Sequence, residues 1–254
     1  AHVTSWTTSK GEELFFLSRA AYFEAEKPIR GGIPVIFPQF GQGPLPQHGF
    51  ARLRDWEVAR TSVEEDGRVA ATLQLDASPE TLALWPHPFH LELGVCVGAQ
   101  TLALTFRVCN PGNEAFPFQA VFHTYFAVED VRQSAVYGLK GVSFIDSLRQ
   151  NAREVESRDA IRFDGEIDRV YVGAPHSLRI EDAAAGRRFY IEKERMPDVT
   201  VWNPWVEKAQ RLADFGDEEW PRMLCVETGV MDPAYTLAPG ETWEGVTTFR
   251  VEER

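Results

Sequence analysis

Cysteine is scarce in this chain, and basic charge is outnumbered. Only three cysteines occur among 254 residues, Cys96, Cys109 and Cys225, each set among apolar or strand-like neighbours. No Cys-x-x-Cys or comparable spacing is present, so no metal site is expected. An odd, low count without local pairs reads as reduced, buried thiols and points to a cytoplasmic setting. Lys and Arg number 26 against 38 Asp and Glu, a formal net charge of -12. That balance argues against nucleic acid, whose binding needs clustered cations that displace counterions, and against anionic membrane surfaces. No apolar run approaches the roughly 18–20 residues of a membrane span. A GxSxG elbow, a P-loop, a GxGxxG turn and an HExxH helix are all missing, and no cofactor is expected. The chain opens at Ala1 with no signal-peptide pattern, and a short native segment is expected to precede it.

Helical patterns are also few. Residues 78–86 (SPETLALWP) offer Ser78 as a cap, Pro79 in the first turn and a proline stop, and 203–215 suggest a second short helix. Strand patterns dominate instead. Alternating or continuous apolar runs cover 67–77, 89–99, 100–110, 115–128, 177–194, 222–231 and 241–253. Turn formers separate them at DG, NPGNE, AAAG and APGE, and NPGNE (110–114) between two long runs is expected to close a β-hairpin. So many evenly spaced strands predict an all-β protein, a large antiparallel β-sandwich. No linker or composition shift divides the chain, so residues 1–254 are expected to form a single domain. With 44% hydrophobic residues the core can be sizeable, and no separate apolar stripe stands out; a monomer is expected.

Against this acidic background, two arginines stand in loops rich in Gly and Pro. Arg30 lies in KPIRGGIPVIFPQFG (27–41) and Arg52 in PQHGFARLRDW (46–56), where Gln47 and His48 precede it. Glycine permits unusual backbone angles and proline stiffens them, and an arginine fork matches a phosphate or carboxylate bidentately. The pattern points to a small anionic ligand. His123 sits in FQAVFHTYFAV; at period 2 it shares a face with Gln119, Val121 and Tyr125, away from Phe118, Phe122 and Phe126. Taken alone, it is also readable as a hydrogen-bonded structural histidine. Glu227 stands inside the apolar stretch MLCVETGV. If it faces inward, desolvation raises its pKa and makes it a useful base; if outward, it is an ordinary surface carboxylate. Asp168 and Arg169 in GEIDRVYVG form an adjacent pair of opposite charges, a common solvated arrangement. His87 and His90, three apart around a proline, lack the geometry and carboxylate support of a metal site.

In their order along the chain, IRGGIPVIFPQFG, QHGFARLRDW, FHTYF, DRVY, VWNPW and CVETG resemble the D-hexose-6-phosphate mutarotases, a branch of the aldose 1-epimerase family. Each motif is weak alone; the ordered set is specific and spans nearly the whole chain. The resemblance implies a galactose-mutarotase-like supersandwich and interconversion of sugar anomers by acid–base ring opening, without a cofactor. It implies that His123 and Glu227 are catalytic. It also implies that Arg30, Gln47, Arg52 and Asp168 bind substrate, with the two arginines toward a 6-phosphate. The alternatives are an epimerase of unphosphorylated sugars and a non-catalytic sugar-phosphate-binding module.

Overall fold

The computed structural model describes residues 1–253. Two antiparallel sheets of nine strands each dominate it. The first runs in the order His2–Val3, Ile33–Ile36, Phe116–Phe122, Met223–Leu237, Asp198–Asn203, Ile167–Val172, Ser143–Asp146 and Ala152–Val155, with Tyr125–Ala127 also paired to Met223–Leu237. The second runs Ala160–Arg162, Ser134–Tyr137, Ser177–Asp182, Arg187–Glu194, Thr242–Glu253, Thr101–Cys109, His90–Val97, Val69–Asp76 and Glu57–Val63. This is the predicted sandwich. Its core is aromatic: Phe37, Phe106, Phe118, Phe122, Phe126 and Trp243 are all essentially inaccessible, and edge-to-face ring pairs such as Phe118–Trp243 at 5.4 Å knit the two sheets together. No helix among the described residues is long and apolar enough to cross a membrane.

Local signals explain most of the elements. The helix Pro79–Leu84 begins where Ser78 accepts a hydrogen bond from the Thr81 amide while the Thr81 hydroxyl accepts from the Ser78 amide, a reciprocal cap. Asp66–Gly67 turns Glu57–Val63 into Val69–Asp76, and the AAAG turn joins Ser177–Asp182 to Arg187–Glu194. The segment predicted to be helical over 203–215 forms only the five residues Trp205–Ala209.

Two expectations fail. NPGNE does not close a hairpin, because the strands on either side of it belong to different sheets. Thr101–Cys109 lies between His90–Val97 and Thr242–Glu253, whereas Phe116–Phe122 lies between Ile33–Ile36 and Met223–Leu237. The link crosses the sandwich and is fixed by Asn110, whose Nδ2 donates to the Glu114 and Leu237 carbonyls at 2.9 and 3.1 Å. Residues 115–128 also do not form one strand. They break at His123–Thr124, where the His123 and Tyr125 amides leave the ladder for the Pro34 and Gly32 carbonyls at 3.1 and 2.9 Å. The face assignment survives the break: Phe118, Phe122 and Phe126 enter the core, while Gln119 and His123 open onto a cavity on the outer side of the first sheet.

Candidate active site

The cavity has a volume of about 640 Å³, within the range of small-molecule sites. Its floor is the first sheet. Along Met223–Leu237 the alternation is decisive. Thr228 points into the sandwich, where its hydroxyl meets that of Thr247 from the other sheet at 2.6 Å, so Glu227 must point the opposite way, into the cavity. Thr200, opposite Glu227 in register, and Trp202 come from the neighbouring strand, and Asp168 from the next.

The two arginine loops close one side. They need glycine at their points of contact: a side chain at Gly31 (φ +125°) would meet the Phe16 carbonyl at 2.3 Å, and one at Gly49 (φ +69°) would meet the Phe37 carbonyl at 2.2 Å. The Phe50 and Ala51 amides both donate to Phe37 O, pinning the second loop onto the first. Between them His48 adopts φ 65°, unfavourable for a residue with a side chain. Its Nδ1 accepts the Gly41 amide at 3.2 Å, which places the ring proton on Nε2. Burial, with Arg52 and Arg30 nearby, lowers its pKa to about 3, so the ring is neutral.

His123 Nδ1 lies 3.2 Å from Glu227 Oε1. The pair is in ion-pair reach but not in hydrogen-bond alignment, and His123 Nδ1 and Glu227 Oε2 have no hydrogen-bond partner among the described residues. The imidazole stacks on Tyr125, ring centres 4.7 Å apart and planes within 5°, and meets the edges of Trp202 and His48. Burial pushes the His123 pKa well below its ordinary value, helped by His48 and the two arginines. Burial pushes Glu227 well above the carboxylate range, aided by Asp168 and opposed by Arg52. An adjacent buried acid and base with their pKa values driven toward one another is the environment of a proton-transfer site.

The arginines differ. Arg30 is already engaged: Nε and Nη2 donate to Asp214 at 3.2 and 3.1 Å, and Nη1 donates to the Tyr125 hydroxyl at 3.0 Å. Burial opposes its charge, but Tyr125 and Asp214 outweigh it and raise the Arg30 pKa. Arg52 has no carboxylate within ion-pair distance among the described residues. Its Nη2 donates to the Gln47 carbonyl at 2.9 Å, and its Nε is buried without a partner. Burial and the neighbouring Arg30 lower its pKa to about 10, still fully protonated at neutral pH. A half-buried guanidinium with its Nε out of reach of solvent and no carboxylate beside it is a standing site for an anion.

The six residues singled out from the sequence thus converge. His123, Glu227, Arg30, Gln47 and Asp168 line the cavity, and Arg52 stands behind Gln47. Asp168 is not a loosely solvated charge; Lys208 from the short helix approaches it at 3.5 Å and Glu166 at 3.0 Å. Among nearby aromatics, Trp202 lines the cavity and Tyr125 underlies His123, whereas Trp205 packs on Trp220 at 4.2 Å. Asp214 and Lys208 escaped sequence reasoning, whereas alternation along the strand places Gln119 on the His123 face. Gln119 ties the first loop to the sheet by accepting the Phe40 amide at 2.8 Å.

The family profile described as aldose 1-epimerase matches residues 1–250. The chain belongs to the aldose 1-epimerase family. It is accordingly an isomerase, and its substrate is a sugar. Two relatives bear the name "putative glucose-6-phosphate 1-epimerase". One, from Cenchrus ciliaris, is 43% identical over 96% of this chain and 76% of its own length. The other, from Escherichia coli K12, is 35% identical over all of this chain and 85% of its own. The crystal structure of a "putative mutarotase" from Salmonella typhimurium superposes with a TM-score of 0.92 at 29% identity, covering all of this chain and 84% of that one. For an aldose 1-epimerase of this fold, a deep cleft on the outer face of one sheet with a buried His/Glu pair is a coherent place for sugar chemistry.

Proposed function

We propose that this cavity interconverts the α and β anomers of a D-hexose 6-phosphate, with glucose 6-phosphate as the reference substrate. One observation carries the phosphate part of the reading: Arg52 is half-buried, charged and held by no carboxylate among the described residues, and it donates to the carbonyl of Gln47 in the wall of the cavity that holds the His/Glu pair. The names of the relatives point the same way.

Anomerisation needs a proton taken from O1 and one given to the ring oxygen; the ring opens, C1–C2 rotates, and closure reverses both transfers. A His/Glu pair sharing one proton suffices. In the charge-separated form, Glu227 takes the O1 proton while His123 donates to the ring oxygen. The open-chain state then faces neutral His123 and protonated Glu227, and closure restores the start. The protein's own electrostatics favour the second form. A phosphate dianion seated on Arg52, with the remaining N–H groups of Arg30 beside it, would cancel two of the charges that hold His123 neutral. The substrate's remote group thereby prepares the acid, a use of binding energy away from the reacting bond. Asp168 and Gln47 hold sugar hydroxyls in this reading, and Trp202 offers its ring to the sugar's apolar face.

The test is NMR exchange between the glucose 6-phosphate anomers at equilibrium, for wild type and His123→Ala. Fast exchange in wild type and near-buffer exchange in the variant is the expected result. Buffer-rate exchange in wild type, with sugar phosphate still shifting its resonances, would instead mean a binding module.

A further inference from the structure

Cys225 lies two residues before Glu227 on Met223–Leu237, so both side chains project from the same face of that strand. One ligand atom from each of His123, Cys225 and Glu227 lies within 4.8 Å of the other two, and all three residues are buried. His123 Nδ1 and Glu227 Oε2 have no hydrogen-bond partner among the described residues. We infer that His123, Cys225 and Glu227 form a binding site for a borderline-soft divalent cation, Zn²⁺ above all, which enters through the sugar cavity and blocks it. The inhibitory consequence rests on the acid–base reading above; the binding site itself does not.

The donor set selects the ion. Imidazole, thiolate and carboxylate together suit zinc and its late first-row neighbours, whereas Mg²⁺ and Ca²⁺ take oxygen ligands alone. Tetrahedral bonds of about 2.0–2.3 Å put neighbouring ligand atoms roughly 3.3–3.6 Å apart, so small side-chain rotations bring the trio to bonding distance. A fourth position stays open to water on the cavity side. Binding breaks the Cys225 S–H bond and forms a metal–sulfur bond; that proton, and the one shared by His123 and Glu227, pass to solvent, and no electrons move. Thiolate and carboxylate together then neutralise the ion. Ligand spacing along the chain hides this site, because residues 123 and 225 meet through the pairing of Phe116–Phe122 and Tyr125–Ala127 with Met223–Leu237.

The experiment titrates the whole protein with Co²⁺ as a visible stand-in for Zn²⁺. Wild type should develop a thiolate-to-cobalt charge-transfer band that saturates at one equivalent and bleaches on adding Zn²⁺. The band should vanish in Cys225→Ala and persist in a Cys96→Ser/Cys109→Ser double variant, with thermal melting confirming that each variant is folded. Cys225→Ser, closer in size and polarity, should bind Zn²⁺ at least about ten-fold more weakly than wild type, since even loss of a supporting residue around a metal costs that much. No band in wild type, or a band that survives in Cys225→Ala, overturns the site. In parallel, Zn²⁺ should suppress anomer exchange in wild type and far less in Cys225→Ala. A cobalt band with undiminished exchange would leave the site standing and overturn the acid–base roles of His123 and Glu227.

Discussion

Glu227 stands on Met223–Leu237 in the middle of the first sheet and Glu156 just past its edge strand Ala152–Val155, and the two are buried almost equally, 2% and 3% exposed. Their surroundings differ completely. Around Glu156, burial raises the carboxyl pKa, but Arg158 supplies two side-chain hydrogen bonds at 2.8 Å and its amide a third, and Tyr171 adds a fourth at 2.9 Å. The sum lowers Glu156 to about 2. Arg169 bridges from this carboxylate to Asp146, closing the network. Among the described residues Glu227 receives no such donors; it faces a histidine it does not properly hydrogen-bond, and its pKa moves the other way. A buried charge that is fully partnered holds a fold together. One left unpartnered costs stability and is kept where chemistry uses it. The arginines repeat the contrast within the cavity, Arg30 held by Asp214 and Arg52 held by no carboxylate among the described residues.

The sharpest way to break the comparison is to neutralise both glutamates. Glu227→Gln should lower kcat for anomer exchange about 10²–10⁴-fold, the usual contribution of a general base, with stability equal to or above wild type. Glu156→Gln should leave kcat near wild type and cost about 1–3 kcal/mol in urea unfolding, because donors of Arg158 and Tyr171 lose their acceptor. Equal effects on activity would remove the functional distinction between the two sites. The arginine contrast gives the next largest effect. Arg52→Met should weaken glucose 6-phosphate roughly 10–100-fold, the worth of one charged hydrogen bond, change glucose little, and not destabilise the protein. Arg30→Met should cost stability as well, because it strands Asp214 and the Tyr125 hydroxyl. Similar losses for both sugars in Arg52→Met would show that this residue does not read a phosphate.

Much of the fold and of the cavity is legible in the amino-acid sequence, for physical reasons. Period-2 apolar runs announce a sandwich, because a strand between core and solvent must alternate. A carboxylate inside an apolar strand and a histidine opposite a row of phenylalanines stand out, because burial of either group is costly. What stays hidden depends on how strands are distributed in space. NPGNE says that the chain turns, not whether it turns within a sheet or across the sandwich. Asp214 is 184 residues from the arginine it holds, and nothing local ties them. Short exposed strands such as Ala152–Val155 carry no apolar face to betray them. Cys225 reads as one more buried thiol until the strand pairing brings His123 beside it.

The smallest effect, and the most direct view of the two environments, is in the pH dependence of stability. Glu156 has a folded pKa of about 2 against 4.5 for the free group. Its stabilisation is therefore present above 4.5 and is lost as pH falls toward 2. Glu227 is raised, so the folded protein retains a proton that the unfolded chain has released once pH exceeds 4.5, and its contribution declines as pH rises through the folded value. The corresponding glutamine variants remove these terms with opposite signs. Measured by urea unfolding across acid and neutral pH, Glu156→Gln should fall progressively further behind wild type up to about 4.5 and then run parallel to it. Glu227→Gln should gain on wild type from there upward. His48, lowered from 6.5 to about 3, adds a loss of stability on acidification below 6.5 that His48→Gln should flatten. If the two glutamine variants tracked each other across this range, Glu227 would be as well partnered in solution as Glu156, and no unsatisfied acid would remain in the cavity to move a proton.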